Sequence, residues 1–559
     1  MNTFGGYETT DVVICGCGPT GAMLSGYLSR MSVNHVLFEK ENGITTDPRG
    51  IALDEDGIRL IQGLGIYRQI HGEIGSCMQI FKFIGGTEKD LNRDAFLEMD
   101  YSTTEGGTGH VGFISHKQPV LEKHLRDVIA SSCFCQLRFN SAVVEIQQDD
   151  DWTYCQSRGL DGELRSIRSR FFVGADGKTG FTRKIYLEPL GIQMEQTHEQ
   201  ITLPTVATHP DFPLWELKCT PEQVYDFFFP LNFRFLCNPE RPAICTRFGV
   251  PSDRLWRFEF VVLKGEDGKR YGLSQDVQYP EDCISVLRSR PFRFSARSCN
   301  KWSHGRVVLC GDAAHVFPPF GGQGISSGFR DAASLAWRLA LLCRQTHSIH
   351  PRKQQLEKAL AITIRNGGFV TESNPLKIFL RSCYLFIMNI VPSWRRQLRL
   401  GHRRGMVRYR FSHGMPFIPD LNGGVCLPQV YCKLVYLDEP NELVSARETV
   451  YAMEGYSKGE IRIGDATYLI QSTDQSVDSS DDHGSANSVY QLASAENFAR
   501  SPLCDVRPEP QHYDMYYLGR VLEGRKYVIV RPNRFIFAAC SNREELQRAI
   551  IEAVEYLQF

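Results

Sequence analysis

The sequence predicts an α/β protein organised around a doubly wound parallel sheet, and three observations carry that prediction. Residues 11–40 read strand, glycine turn, helix, strand: DVVICGCG, PTGAMLSGYLSRM, then NHVLFEK. Two further short apolar runs, RSRFFVGAD (168–176) and RVVLCGD (306–312), each end in glycine and aspartate. Strands that carry ligand groups at their carboxyl ends, gathered from distant segments, are the signature of such a sheet. Finally, 559 residues exceed the roughly 250–300 at which a single core stops growing, so further domains must surround this one.

The stretches between those strands supply the other domains. Residues 78–115 and 200–297 are strand-rich, with runs such as YDFFFPLNFRFLC (225–237) and RLWRFEFVVL (254–263) alternating as a half-buried sheet requires. The expected division is a nucleotide-binding part at 1–77, 116–184 and 298–425, the last with a helical region. An inserted antiparallel sheet takes 78–115 and 185–297, and a C-terminal α/β domain takes 426–559. Within the last, residues 472–489 (STDQSVDSSDDHGSANSV) read as a mobile linker, followed by a strand-turn-strand and a terminal helix. The apolar stretch Phe379–Pro392 is too short for a span, which needs about 20 residues, and reads as a buried or surface-docked helix.

Composition narrows the class. Hydrophobic residues at 42% and aromatics at 11% exclude a disordered chain, and a net charge of −1 leaves no global field for nucleic acid or an anionic surface. The basic cluster SWRRQLRLGHRR (393–404) reads as a solvated helix face. The first ten residues show no leader pattern, so a cytoplasmic location is expected. The 18 cysteines are scattered without metal or redox spacing and are expected to be free thiols.

Gly16-x-Gly18-x-x-Gly21 follows a strand and opens a helix, and Glu39 ends the next strand. Gly16 permits the tight turn, Gly18 lets backbone approach a pyrophosphate, and Gly21 lets helix and strand pack closely. The helix N-terminus attracts the phosphates, and Glu39 can take both ribose hydroxyls. The stretch LCGDAAHVFPPFGGQGISSGFRDAASLAWRL (309–339) then favours a flavin dinucleotide. Asp312 ends a strand where it can hold a ribityl chain. Pro318, Pro319, Gly321, Gly322 and Gly324 form a loop thin enough to lie along a flat ring. The helix beginning near Ile325 points its N-terminus at that ring, where reduced flavin is negative. His315 reads as a packed loop residue, and no metal site is expected.

These motifs together resemble the class A, FAD-dependent aromatic hydroxylases, the single-component flavin monooxygenases. GCGPTG, VGADGKTGFTRK (173–184) and LCGDAAHVFPPFGGQG are similar to the family's three FAD motifs. DPRGIALDEDGIRLIQGLGI (47–66), ISHKQPVLEKHLR (114–126), WRFEF (256–260) and VRPNRF (530–535) resemble the 3-(3-hydroxyphenyl)propionate hydroxylase and phenol hydroxylase branch. The resemblance implies a Rossmann-like FAD-binding domain of the GR2 type, an inserted antiparallel β-sheet substrate domain, and a thioredoxin-like C-terminal domain. It implies tightly bound, non-covalent FAD with NAD(P)H as a transient co-substrate, and homodimers. The ADP half would fall to Gly16, Gly18, Pro19, Thr20, Gly21, Glu39 and Lys40. Arg49 would sit near the pyrophosphate and the isoalloxazine, with Gln118 in the FAD shell and Asp176 handling both cofactors. Asp312 would take the ribityl or pyrophosphate part, and Pro319, Gly322, Gly324 and Ile325 would line the flavin. Ser326 stands where many members have Asn or Cys, and its hydroxyl is expected at the flavin edge.

The implied reaction is hydroxylation of a phenolic substrate with dioxygen through a flavin hydroperoxide, in a pocket that excludes water. The aromatic runs suit that pocket, and a polyketide-derived ring fits its size. A base or cation near the phenol is required. Arg49, Asp54 and Tyr225 are the candidate catalytic residues. Baeyer–Villiger insertion on the same fold and a flavin-binding carrier or inactive scaffold remain open alternatives. No CxxC marks the C-terminal domain, so a redox role is not expected there.

Overall fold

A computed structural model describes residues 3–4, 6–47, 51–87, 91–196, 211–261, 281–293, 296–344, 354–401, 407–411, 415–434, 443–445, 468–470, 489–505 and 507–558. The chain forms two compact units, Met1–Tyr101 with Phe113–Gly401, and Ser102–Gly112 with His402–Phe559.

The first unit is built on a nine-stranded sheet. Its parallel heart runs in the order Cys135–Arg138, His35–Phe38, Tyr7–Cys15, Leu164–Gly174, Val307–Leu309. Val12, Val13 and Ile14 are fully buried, as expected of a central parallel strand covered on both faces. Helix Pro19–Arg30 starts with proline in its first turn and buries Ala22, Met23, Leu24 and Leu28. It packs against helices Gln118–Ala130 and Gly324–Arg344. An antiparallel meander, Ala142–Gln148 with Thr153–Arg158 and Leu164–Gly174, extends the sheet on one side. The register has a functional result: Arg138, Phe38, Cys15, Gly174 and Leu309 are successive pairing partners, so the parallel strands end along one line.

A seven-stranded sheet forms the second layer, in the order Ile284–Arg293, Asp211–Cys219, Leu255–Phe260, Ala243–Phe248, Arg234–Cys237, Ile80–Gly85, Leu97–Asp100. All its pairs are antiparallel except Arg234–Cys237 with Ile80–Gly85. The run 225–237 corrects the expectation of one strand: Glu222–Phe228 is a helix and only Arg234–Cys237 is extended. Pro230 cannot continue a helix or donate to a ladder, so the aromatic run divides around it. One sheet face carries Phe81, Phe83, Phe233 and Phe235. Phe83 and Phe235 stack at 4.5 Å, and Phe81 and Phe233 at 4.6 Å. Burying each such ring is worth about 1.5–3 kcal/mol. A helical run follows the Gly324–Arg344 helix, with Gln354–Thr371, Pro375–Ile390 and Pro392–Leu400.

The second unit has a four-stranded sheet, Leu443–Ser445, Tyr431–Leu434, Val489–Leu492, Tyr468–Ile470, and a hairpin of Tyr527–Val530 with Ile536–Cys540. Helix Arg543–Gln558 follows the hairpin. The 78–115 segment does not stay with the first unit as expected, because Ser102–Gly112 is built into the second. Its backbone groups find partners there: Thr104 N–H donates to Gln511 carbonyl (3.0 Å), Gln429 N–H to Gly107 carbonyl (2.7 Å), and buried Arg507 to Gly109 carbonyl (3.1 Å). The linker expected at 472–489 falls outside the described residues except for Val489, which begins a strand. None of the 18 cysteines, all of them among the described residues, lies in a disulfide.

Candidate active site

The carboxyl edge of the parallel sheet gathers the glycine turn, Glu39, Asp176 and Asp312 by construction, since each follows directly from a strand end on the common line. Gly16 adopts φ +100°, and a Cβ there would lie 2.7 Å from the Ala175 carbonyl oxygen. A Cβ on Gly21 would lie 1.9 Å from the Gly16 carbonyl oxygen. Both positions are closed to side chains, whereas nothing lies within 4 Å of a Cβ on Gly18. Gly18 caps the Pro19–Arg30 helix without a side-chain bond, and no acidic residue occupies the first turn. The amide groups of that turn therefore meet open space with a positive dipole behind them.

Glu39 fixes this turn. Its carboxylate accepts the Cys17 N–H at 2.8 Å and the Glu41 N–H at 3.0 Å, leaving lone pairs for a diol. Lys40 turns away to Glu41 at 3.6 Å on the exposed surface. Thr20 packs rather than reaches outward: a Cβ on Gly311 would lie 2.6 Å from its hydroxyl oxygen, and one on Gly328 2.2 Å. Pro19 occupies the first helical turn.

Asp176 accepts the Thr182 N–H at 2.8 Å and its hydroxyl at 2.9 Å on Oδ2. Oδ1 is buried without a partner. Burial raises the Asp176 pKa, with the Thr182 bonds acting the other way. An orphaned carboxylate oxygen costs about 1–3 kcal/mol, and at the mouth of a phosphate turn it is an acceptor awaiting a donor. Asp312 is exposed, yet the surrounding protein raises its pKa by desolvation against the pull of His315 and Lys178. His315 is buried, with its Nε2 2.6 Å from Asp331 Oδ2, and Asp331 also accepts the Gly311 N–H at 3.2 Å. The dyad thus fixes the loop behind Asp312. Arg183, itself buried, donates to the Ala313 carbonyl at 3.1 Å and ties the 173–184 segment to the same loop.

Gly322 has φ +59°, and a Cβ there would lie 2.6 Å from Ala52 Cβ and 3.0 Å from the Phe113 ring. Ala52, Phe113 and Phe320 belong to the cluster that contains Phe81, Phe83 and Phe235. The thin loop therefore runs straight onto the aromatic face of the second sheet. Gly324 opens its helix with no acidic residue in the first turn and open space at its Cα, and Ile325 beside it is half-buried. Pro319 lies in the short turn before it. Ser326 departs from expectation: its hydroxyl is fully buried and accepts the Asp54 N–H at 3.3 Å, so it serves the neighbouring helix.

Arg49 lies outside the described residues. The other two candidate catalytic residues are committed elsewhere, which corrects the expectation for them. Asp54 caps helix Glu55–Gln62 with Oδ1, accepting the Gly57 N–H at 2.8 Å, while Oδ2 pairs with Arg330. Tyr225 is buried, donates its hydroxyl to the Leu255 carbonyl at 2.8 Å and lies under the Arg247 guanidinium at 4.3 Å. Burial raises its pKa, with Arg247 opposing. Gln118 donates to Glu122 at 2.6 Å.

Two arginines at the site escape sequence reasoning. Arg126 donates to the Cys17 carbonyl at 3.3 Å and lies 3.8 Å from Glu122, extending the Gln118–Glu122 ladder to the glycine turn. Its i, i+4, i+8 spacing is the sequence signal that would have found it. Arg330 joins Asp54, Asp56 (2.7 Å) and Gln323 (3.1 Å); burial alone would lower its pKa, but the two aspartates outweigh it and raise it. Its two aspartate partners are 276 and 274 residues away in sequence and leave no local trace. On the second sheet, Arg257 pairs with Glu259 at 2.7 Å. His116 lies buried with neither ring nitrogen hydrogen-bonded, and burial followed by Arg257 lowers its pKa to about 3.

A parallel sheet whose carboxyl edge carries a tight glycine turn opening a helix, a strand-end glutamate and an aspartate with an unpartnered oxygen has the form of a dinucleotide-binding α/β protein. The chain belongs to the family described as FAD binding domain, whose model matches residues 9–261 and 263–350. It is 28% identical over 399 residues to a 3-(3-hydroxy-phenyl)propionate/3-hydroxycinnamic acid hydroxylase of Burkholderia cenocepacia (strain HI2424), covering 68% of each chain. Among solved structures it is similar to p-nitrophenol 4-monooxygenase PnpA from Pseudomonas putida DLL-E4 (TM-score 0.59, 21% identity, 71% of this chain and 99% of that one). It also matches the flavin-dependent monooxygenase PieE in complex with FAD and substrate (TM-score 0.66, 15% identity, 99% and 100%). These two likenesses concern the fold.

Proposed function

We propose that the protein hydroxylates a phenolic aromatic compound, consuming NAD(P)H and dioxygen: ArH + O2 + NAD(P)H + H+ gives ArOH + H2O + NAD(P)+. The carrying observation is the continuity from the carboxyl edge, with its orphaned Asp176 oxygen and exposed Asp312, through Gly322 onto the buried aromatic cluster. The donor set fits FAD. The open turn at Gly18 and the helix start at Pro19 suit the pyrophosphate, and Glu39 suits the ribose. Asp312 suits the ribityl hydroxyls, Pro319, Gly322, Gly324 and Ile325 suit the ring, and Asp176, Gln118 and Arg49 complete the shell. When bound, FAD supplies the two-electron chemistry with dioxygen that an aromatic hydroxylation needs.

This chain's own contribution is placement and dryness. Phe81, Phe83, Phe113, Phe235 and Phe320 form a wall that excludes water from the substrate ring. Arg330, held by Asp54 and Asp56, anchors the Gly324 helix so that its N-terminus keeps a fixed aim. Asp54 is a positioning residue in this scheme, and Tyr225 supports the sheet. The breadth of the aromatic wall favours a substrate larger than phenol, of the polyketide type. The C-terminal unit, read as thioredoxin-like, takes a structural role.

The test is the absorbance spectrum of the purified protein, then NADPH oxidation with and without a panel of phenols. Flavin bands with phenol-stimulated consumption of NADPH and oxygen, and a product heavier by one oxygen atom on the ring, are expected. Ring expansion in the product would assign Baeyer–Villiger insertion instead, and a yellow protein inert to every phenol would point to a carrier.

A further inference from the structure

Helix Pro375–Ile390 presents a surface that hydroxylation does not use. Inward, Leu385 joins the aromatic cluster, and Arg381 donates to the Phe369 carbonyl at 3.0 Å with its guanidinium over the Phe96 ring at 4.3 Å. Outward, Leu376, Phe379, Leu380, Phe386, Ile387 and Ile390 are between 54% and 70% exposed. Their spacing of 3, 4, 10, 11 and 14 residues from Leu376 sets all six on one side of a helix about 24 Å long. An ordinary surface helix buries its apolar stripe; this one shows it to solvent, as a single patch far beyond scattered surface apolar residues.

The next element gives the patch a charge. The chain bends by 117° into helix Pro392–Leu400, PSWRRQLRL, which has three arginines and no acidic residue. Arg395 and Arg396 are exposed, Arg399 lies 3.6 Å from Glu98, and Trp394 stands 43% exposed near the bend. No single helix among the described residues is long and apolar enough to cross a membrane, and the bend breaks this pair.

We infer that the bent helix pair docks the protein on an anionic lipid bilayer. The outward stripe of Pro375–Ile390 lies among the acyl chains, and Arg395 and Arg396 sit at the headgroups. An in-plane helix with aromatic and aliphatic residues on one side, cations beside it and an interfacial tryptophan is the form such anchoring takes. The sign of the charge chooses this occupant. A second copy meeting the patch about a two-fold axis would bring the same arginine-rich helix with it, adding like charge to like. Anionic headgroups answer both the apolar stripe and the cations.

The experiment is flotation of the FAD-loaded protein with vesicles of phosphatidylcholine alone or with roughly one-third phosphatidylserine. The protein should float with the phosphatidylserine vesicles and be released by added salt. Replacing both rings (Phe379→Ser with Phe386→Ser) should lower the bound fraction roughly tenfold or more, since about two buried rings are lost. Arg395→Glu with Arg396→Glu should abolish the preference for phosphatidylserine. Unchanged FAD content in each variant shows that the fold is intact. Wild-type protein that does not float, or ring variants that float as well as wild type, overturn the inference. Non-floating protein that sediments as a dimer, and as a monomer after Phe386→Ser, would assign the patch to a second copy.

Discussion

Asp54 offers the sharpest separation of a structural carboxylate from a catalytic one. Oδ1 caps a helix and Oδ2 pairs with Arg330, which keeps Asp56 at 2.7 Å as its other anionic partner. Asp54→Ala removes the cap, worth about 1 kcal/mol, and takes one of two partners from a largely buried guanidinium. Breaking a buried pair outright costs about 3–5 kcal/mol, and the surviving Asp56 contact reduces that, so a total loss of about 3 kcal/mol is expected. Asp54→Asn behaves differently. Asparagine caps as well as aspartate through its one carbonyl oxygen, but its amide NH2 then faces Arg330 in place of Oδ2, so the charge and that acceptor are both lost, at about 1.5–3 kcal/mol. The assay pairs urea unfolding, followed by flavin fluorescence, with phenol-dependent NADPH oxidation. Asp54→Asn should fold, retain FAD and turn over within a few-fold of wild type. A well-folded, fully loaded Asp54→Asn protein slowed by roughly 100-fold or more, the usual worth of a general base, would refute the structural role and restore Asp54 as the base.

Three further outcomes follow from particular contacts. Asp312→Ala should lower FAD occupancy, because it removes the carboxylate proposed to accept from the ribityl hydroxyls; a variant that purifies with full flavin contradicts that placement. His116 is neutral when folded, its pKa lowered to about 3 from 6.5. The unfolded state therefore binds the proton more tightly, and this group's share of stability is complete above pH 6.5 and lost as pH falls toward about 3. His116→Leu should flatten the stability profile across that window, and an unaltered profile in acid titrations of unfolding would count against it. Gly328→Ala sets a Cβ 2.2 Å from the Thr20 hydroxyl oxygen and should destabilise by about 1–3 kcal/mol. In a Thr20→Ala background the same change should become neutral or gain up to about 1 kcal/mol, because alanine favours helix over glycine. A double-mutant cycle with no coupling would dismiss that contact.

The part of the site legible in the sequence is the part made by local geometry. The turn at Gly16, the helix after Pro19 and the acid at Glu39 lie within one strand-helix-strand unit, where spacing alone fixes which atoms converge. Asp176 and Asp312 were legible because each ends a short apolar strand, and parallel register then places them beside that turn. What was lost is decided between distant segments. Nothing near Asp54 announces Arg330, so a carboxylate already in use looked available. Tyr225 lay in an aromatic run that alternates well enough for a strand, but Pro230 divided it and the tyrosine entered a helix. Residues 102–112 (STTEGGTGHVG) read as a glycine- and threonine-rich loop, but that composition does not say which unit takes it; their place in the second unit is set by backbone partners such as Gln429 and Gln511.

The order in which the parallel strands join the sheet bears on how the chain is made. Leu164–Gly174 pairs on one side with a strand that begins at Tyr7 and on the other with Val307–Leu309. The Gly324 helix, which packs on the first helix, comes later still. At synthesis rates of about 5–20 residues per second, the ribosome needs roughly 16–65 s to reach that point. Until then an incomplete sheet edge and the apolar faces of the first helix wait for their covers, a state exposed to aggregation. The proposed flavin cradle shares that timing, because Asp312 and the Pro319–Gly324 loop are among its last parts to be translated. Cofactor can therefore reward folding only after most of the first unit exists, and helper chaperones should raise the yield of soluble protein more than extra riboflavin does during expression.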